Sequence, residues 1–222
     1  MVNLLFDYDG TLHDSLAIYA PAVQAVYNDL VAEGYAPPKV WDKETIRQWI
    51  GLSPGEMWDR FQPNLPQQEK QARSAQIGHR MLELVQAGQA RLYPDVPRML
   101  EELKGQGMGM LLLSNCPASY LQAHTAYFGL ERWFDGLYCG EAFGYRPKSE
   151  ILPQLQAHWP GDFLVIGDRR QDIQMALENR VPAVGCLYGY GSPEELAQAD
   201  WLARTPEELC SCVEQFFRRR DW

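Results

Sequence analysis

Positive charge is scarce in this sequence. Its 222 residues carry 20 Lys and Arg against 29 Asp and Glu, a formal charge of −9. Nucleic acids and anionic membranes both call for a cationic surface, so neither is an expected partner. An anionic substrate would need a local positive site. Long apolar runs are missing as well: nothing approaches the roughly 18 consecutive apolar residues of a membrane span. The first apolar run, Val2–Phe6, stops at Asp7 and has no basic leader, so no secretory signal is expected. Cysteine pairs of metal-binding type are lacking. Cys116, Cys139, Cys186, Cys210 and Cys212 are odd in number, and the C-x-C of Cys210 and Cys212 has no second pair or histidine cluster beside it. Reduced thiols in a cytoplasmic protein follow. There is no internal repeat and no low-complexity segment.

What is present is material for a core: 46% of the residues are hydrophobic, ample for burial and incompatible with disorder. Four short apolar runs each end in polar residues: Val2–Phe6, Met108–Leu113, Phe163–Ile166 and Val181–Cys186. Helical patterns at Val96–Lys104, Ala118–Tyr127, Glu150–His158 and Gln171–Asn179 separate the later runs. Alternation of this kind predicts an α/β fold, a Rossmann-like core with a mostly parallel sheet. From Ser15 to Gln89 no strand-like run occurs. Helical patterns at Leu16–Glu33, Lys43–Trp49, Gly55–Phe61 and Gln67–Gln86 are punctuated by Pro37, Pro38, Pro54, Pro63 and Pro66. The expected organisation is a catalytic core of residues 1–14 and 90–222, with residues 15–89 inserted as a helical cap domain. Arg218–Arg220 reads as a solvated helix end, where cations are favoured.

In open α/β sheets ligands bind beyond the carboxyl ends of the strands. The residues there are Asp7-Tyr8-Asp9-Gly10-Thr11, then Ser114-Asn115, then Gly167-Asp168-Arg169-Arg170-Gln171-Asp172, with Arg146 and Lys148 in the segment before the third strand. Two carboxylates about 4 Å apart repel by roughly 4 kcal/mol at an effective dielectric of 20. Asp7, Asp9, Asp168 and Asp172 brought to one sheet edge could not all stay ionised unaided. A hard divalent cation with oxygen ligands solves this, and Mg2+ suits one or two carboxylates plus a phosphate. Lys148 would supply further counter-charge.

Asp7-Tyr8-Asp9-Gly10-Thr11 resembles the first signature, D-x-D-G-T, of the haloacid dehalogenase superfamily of phosphatases. Ser114 after an apolar strand resembles the second motif, and Gly167-Asp168 with Asp172 the fourth, G-D-x-x-x-D. The helical insertion after the first motif resembles the family's cap. Leu187-Tyr188-Gly189-Tyr190-Gly191 and the Glu-rich stretch after it resemble the phosphoglycolate-phosphatase-like branch. The resemblance implies a nucleophilic Asp7 that forms an aspartyl-phosphate. It implies that Asp9 protonates the leaving oxygen and then deprotonates water, a role typically contributing ~10²–10⁴-fold. Mg2+ would be held by the Asp7 carboxylate, the Asp9 backbone carbonyl and Asp168, with Asp172 orienting the shell. Ser114 and nearby N–H groups would grip the phosphoryl oxygens, and Gly10, Thr11, Asn115 and Arg146 complete the substrate-binding set. The substrate implied is a small phosphorylated metabolite; the oligomeric state stays open.

Taken singly, these signals have ordinary explanations. An Asp at a strand end is commonly a turn residue, and Ser114-Asn115 could be helix caps. Their order, with the insertion between, is what carries the reading. The third motif admits two registers. K-P-x-P would place Arg146 in the lysine position, whereas K-x-E-x-I places Lys148 there. A compact ammonium fits a point-charge role better than a guanidinium fork, which favours Lys148. His13 reads as a turn residue, and His79, His124 and His158 as surface or packing residues. Trp41, Trp49, Trp58 and Phe61 read as core of the helical block. The alternatives are a phosphosugar mutase, disfavoured by Ser53-Pro54 after Gly51; a dehalogenase, which would normally lack Asp9; and a catalytically silent binding or regulatory protein.

Overall fold

The strand Val2–Phe6 is buried at all five positions, as a strand covered on both faces must be, and its one polar residue, Asn3, donates its Nδ2 to Pro160 O at 3.3 Å. In the computed structural model, which describes residues 1–50 and 54–220, this strand is β1. The helices α1 (Leu16–Ala32), α2 (Lys43–Arg47), α3 (Pro54–Phe61) and α4 (Gln67–Gln86) follow it. The chain then alternates: α5 (Val96–Gly105), β2 (Gly109–Ser114), α6 (Ala118–Phe128), β3 (Gly136–Cys139), α7 (Lys148–His158), β4 (Asp162–Gly167), α8 (Arg170–Asn179), β5 (Ala183–Cys186), β6 (Trp201–Ala203) and α9 (Glu208–Arg220).

The strands form one six-stranded sheet in the order β3-β2-β1-β4-β5-β6, and all pairings are parallel. Every carboxyl end therefore lies at the same edge. Central β1 pairs Phe6 with Leu112 of β2 and with Ile166 of β4, so Asp7, Ser114 and the Gly167-Asp168 pair leave the sheet side by side. Beneath them Leu5, Leu111, Leu113, Ile151, Leu155, Val165 and Ile173 pack into a buried core. Burial of an aliphatic side chain of this size contributes about 1.5–3 kcal/mol.

Two strands escape the apolar-run criterion. β3 is only partly buried at its first three positions and lies at the sheet edge, and β6 spans just three residues. The run expected at Val181–Cys186 pairs as β5 from Ala183 only, because Pro182 has no N–H to donate and enters the ladder through its carbonyl, which accepts from Val165.

The chain divides into two compact units, Met1–Asp14 with Leu92–Trp222, and Ser15–Arg91. The second has its own core, in which Trp49, Trp58 and Phe61 are buried with Val23, Val26, Tyr27 and Leu30, and Trp41 packs against them half-buried. The pattern expected over Lys43–Trp49 is helical only to Arg47; Asp42 starts that helix by accepting the Thr45 N–H at 2.8 Å. Gly51–Ser53, on which the argument against a mutase rests, lie outside the described residues. Among the described residues all five cysteines are free thiols, and no helix is long and apolar enough to cross a membrane.

Candidate active site

Asp7 extends β1 by one rung: its N–H donates to Ile166 O at 2.8 Å. The chain then turns on a single carbonyl, that of Tyr8, which accepts from Thr11, Leu12 and His13 at 3.3, 2.9 and 3.0 Å. The turn requires Gly10, whose φ is +93° and where a Cβ would fall 2.3 Å from Asp168 Oδ2. Thr11 is buried beneath it and donates its hydroxyl to Asp168 Oδ1 at 3.1 Å.

Asp7, Asp168 and Asp172 converge, all buried, with ligand atoms within 4.8 Å of one another. Lys148, the first residue of α7, reaches into this cluster. Its Nζ donates to Asp7 Oδ1 at 2.5 Å and to Asp172 Oδ1 at 2.7 Å. Asp172 Oδ2 accepts the Arg169 N–H at 3.0 Å, so both oxygens of Asp172 are engaged and α8 is anchored at its start. Of the two candidate cations Lys148 occupies the acidic cluster, while Arg146 is exposed. The Pro147 that precedes α7 sets the helix to start at Lys148.

The electrostatics follow from burial. Desolvation pushes the Asp7 carboxyl well above the ordinary carboxylate range; the Lys148 charge pulls it back, and Asp172 and Asp168 push it up again. Burial and the charge of Asp172 raise Asp168 to about 7. For Lys148 burial opposes the ammonium, but Asp172 and Asp7 outweigh it and hold the group above the usual lysine value. Three buried carboxylates thus face one ammonium, an anionic excess that a hard cation would relieve. The donors are all oxygens and lie within 4.8 Å of one another, a set that suits a hard divalent cation. The residues present fit such an ion.

The segment Leu187–Gly191, legible in sequence only as a branch marker, holds Asp168 in place. The Tyr190 N–H donates to Asp168 Oδ2 at 2.7 Å, the Tyr190 hydroxyl to Asp14 Oδ1 at 3.0 Å, and the Tyr188 hydroxyl to Thr11 O at 2.9 Å. A Cβ at Gly191 would lie 1.9 Å from Asp168 O. Gly191→Ala must therefore shift Asp168. The expected result is a metal requirement raised about 10–100-fold, read from metal-titrated activity, as for other residues that orient a ligand.

Ser114 is buried at the end of β2, and Asn115 beside it is exposed. Asp9 stands apart from the other carboxylates: its Oδ1 accepts from His13 Nδ1 and from the Tyr120 hydroxyl, each at 2.9 Å. Burial alone would raise its carboxyl, but the hydrogen bond and charge of His13, with His124 and Tyr120, bring it below the ordinary range. His13 closes the turn, donating its N–H to the Tyr8 carbonyl, and its ring is fully buried, as is His124 on α6. His79 and His158 are exposed. The spacing of His13 four residues after Asp9 was the available signal, but the partners on α6 lie more than a hundred residues away.

This sheet, with acidic residues at its carboxyl edge and a lysine among them, defines a hydrolase class, and a family model described as haloacid dehalogenase-like hydrolase matches residues 2–179. The chain belongs to that family. It is similar to the phosphoglycolate phosphatase of Synechococcus elongatus, 30% identical over 99% of this chain and 100% of that one. It is also similar to a 5'-nucleotidase of Pseudomonas aeruginosa, 28% identical over 94% of this chain and 90% of the other. Among solved structures, a predicted phosphoglycolate phosphatase from Haemophilus somnus superposes with a TM-score of 0.79 at 24% identity, covering 95% of this chain and 96% of that one.

Proposed function

We propose that the chain is a magnesium-dependent phosphatase that hydrolyses a small phosphate monoester through an aspartyl-phosphate on Asp7. One observation carries this reading: a buried carboxylate at the end of the central strand is paired at 2.5 Å with a buried lysine and lies beside two further carboxylates. A lone Asp in such burial would be protonated and inert. The Lys148 ammonium opposes that shift and favours the carboxylate that can attack phosphorus.

Asp7 attacks, and the proton on Asp9 moves to the leaving oxygen as its bond to phosphorus breaks. Asp9 then takes a proton from water as the water oxygen bonds the phosphorus of the phosphoenzyme, which releases inorganic phosphate and restores Asp7. Lys148 offsets the repulsion between an anionic nucleophile and an anionic substrate, and Ser114 donates to the phosphoryl oxygens. Mg2+, held by Asp7, the Asp9 carbonyl and Asp168 with Asp172 orienting them, would neutralise charge on the transferring group. The unit Ser15–Arg91 is proposed as the cap that selects the substrate.

The relatives named phosphoglycolate phosphatase and 5'-nucleotidase set the panel that tests this: phosphoglycolate, sugar phosphates and nucleoside 5'-monophosphates, with phosphate release measured with and without metal. At least one ester should be hydrolysed with Mg2+. Excess chelator should lower that activity by about 10²-fold or more, restored by Mg2+ and not by Ca2+, whose larger and looser ligand shell misdirects Asp7. Full activity in chelator would overturn the metal assignment, and no release from any ester would overturn the phosphatase.

A further inference from the structure

Asp9 is held by a polar cluster that packing alone does not account for. The His13 ring lies in a closed aromatic box. It stacks on Tyr8 with centroids 5.3 Å apart and planes 9° apart, meets His124 edge-on at 4.5 Å, and has Tyr120 at 6.5 Å and Phe128 at 6.3 Å. Its backbone is fixed by the Tyr8 carbonyl and by an antiparallel bridge to Leu92. The ring is fully buried and cannot swing out.

A leucine or phenylalanine would fill such a box without taking ring nitrogens out of water. Instead two histidines are buried there, and among the described residues neither His13 Nε2 nor His124 Nε2 has a partner. Burying a polar atom unpaired is unfavourable, so packing does not explain the choice. Among the described residues the His13 ring makes hydrogen bonds only at Nδ1, to Asp9 Oδ1 at 2.9 Å and, more weakly, to the Tyr120 hydroxyl at 3.4 Å. With a carboxylate as acceptor, Nδ1 carries the proton. Tyr120, itself buried, donates to the same Oδ1. Asp9 keeps 28% of its side-chain exposure, and its other oxygen, Oδ2, has no partner among the described residues.

We propose that His13, together with Tyr120, is a positioning residue for Asp9: the pair clamps Oδ1 so that Oδ2 is the oxygen presented to the leaving group and then to water. This rests on the acid–base role proposed for Asp9. The travelling proton leaves Oδ2 for the leaving oxygen and returns to Oδ2 from water. His13 and Tyr120 keep their protons throughout. A carboxylate freed from the clamp still binds the same water and substrate, but it spends less time at the transfer geometry, and misplacement of that order costs up to about 10²-fold.

The test separates proton delivery from everything else by leaving group. Two esters are used: the alkyl monoester that the wild type hydrolyses fastest, whose alkoxide must be protonated, and 2,4-dinitrophenyl phosphate, whose leaving group needs no proton. His13→Phe fills the box without the donor, Tyr120→Phe removes one hydroxyl and keeps the fold, and His13→Asn replaces the Nδ1 donor. Both Phe variants should lose about 10–100-fold in kcat/KM on the alkyl ester and stay within about threefold on the aryl ester, while His13→Asn recovers most of the loss. Equal losses on both esters in Tyr120→Phe, or no loss in either Phe variant, would overturn the proposal. Asp9→Asn is the reference. If it spares the alkyl ester, the acid–base role of Asp9 fails and its positioning with it. If it shows the selective loss and the Phe variants do not, only the positioning fails.

Discussion

Asp7→Asn is expected to lower turnover by a factor on the order of 10⁴ or more, the scale seen when a nucleophile is removed from a covalent mechanism. No phosphoryl group should remain on the denatured protein after incubation with substrate. The amide cannot attack phosphorus, and no neighbouring group substitutes: Asp168 is held by Thr11 and Tyr190, and Asp172 by Lys148 and Arg169. Stability should move the other way. Burial and the charges of Asp172 and Asp168 push the Asp7 carboxyl above its ordinary range, so its ionised form is a net burden on the metal-free fold. The melting temperature of metal-free Asp7→Asn should equal or exceed that of the wild type. Near-normal turnover in this variant would end the covalent mechanism.

Lys148→Ala is expected to cost about 10³-fold in turnover, while Arg146→Ala, at an exposed position, should stay within about threefold. Two effects combine at Lys148. The ammonium that offsets anion–anion repulsion is lost, and Asp7 loses the charge that favours its ionised form. The sign of the second effect is definite. Without Lys148 the Asp7 carboxyl rises further, so a larger fraction is protonated at a given pH, and the acid limb of the pH–rate profile should move to higher pH. Lys148→Arg should recover little, since a planar fork does not fit between Asp7 Oδ1 and Asp172 Oδ1 at 2.5 and 2.7 Å. Breaking a buried ion pair from one side typically destabilises by about 3–5 kcal/mol, so turnover should be measured well below the melting temperature of the variant. A crippled Arg146→Ala beside a benign Lys148→Ala would return the third motif to the K-P-x-P register.

The parts of the fold that sequence reading reached share a physical cause. A parallel strand covered on both faces is mostly apolar, so β1, β2 and β4 stand out as apolar runs, with Asn3 the one polar residue inside β1. Edge strand β3 is only partly covered and β6 spans three residues; neither has to be an apolar run, and both were missed. The same logic made Asp7 and Asp168 visible, because an ionisable residue directly after a buried strand sits at the ligand-binding edge.

The sequence by itself determined the fold class, the family and the acidic character of the sheet edge, because these depend on local apolar runs and on residues next to strand ends. Sequence chemistry favoured Lys148 over Arg146, and the tertiary structure puts the Lys148 ammonium in the acidic cluster. That depended on where α7 begins and which way its first residue turns. Tertiary structure alone decided that Leu187–Gly191 packs on Asp168, and that His13 and Tyr120 share one oxygen of Asp9. Tyr120 is 111 positions from Asp9 along the chain, and only the packing of α6 against the first turn brings the two together. Contacts at such separation leave no local periodicity to read, since the chain between them can take any course that returns the side chain to its place.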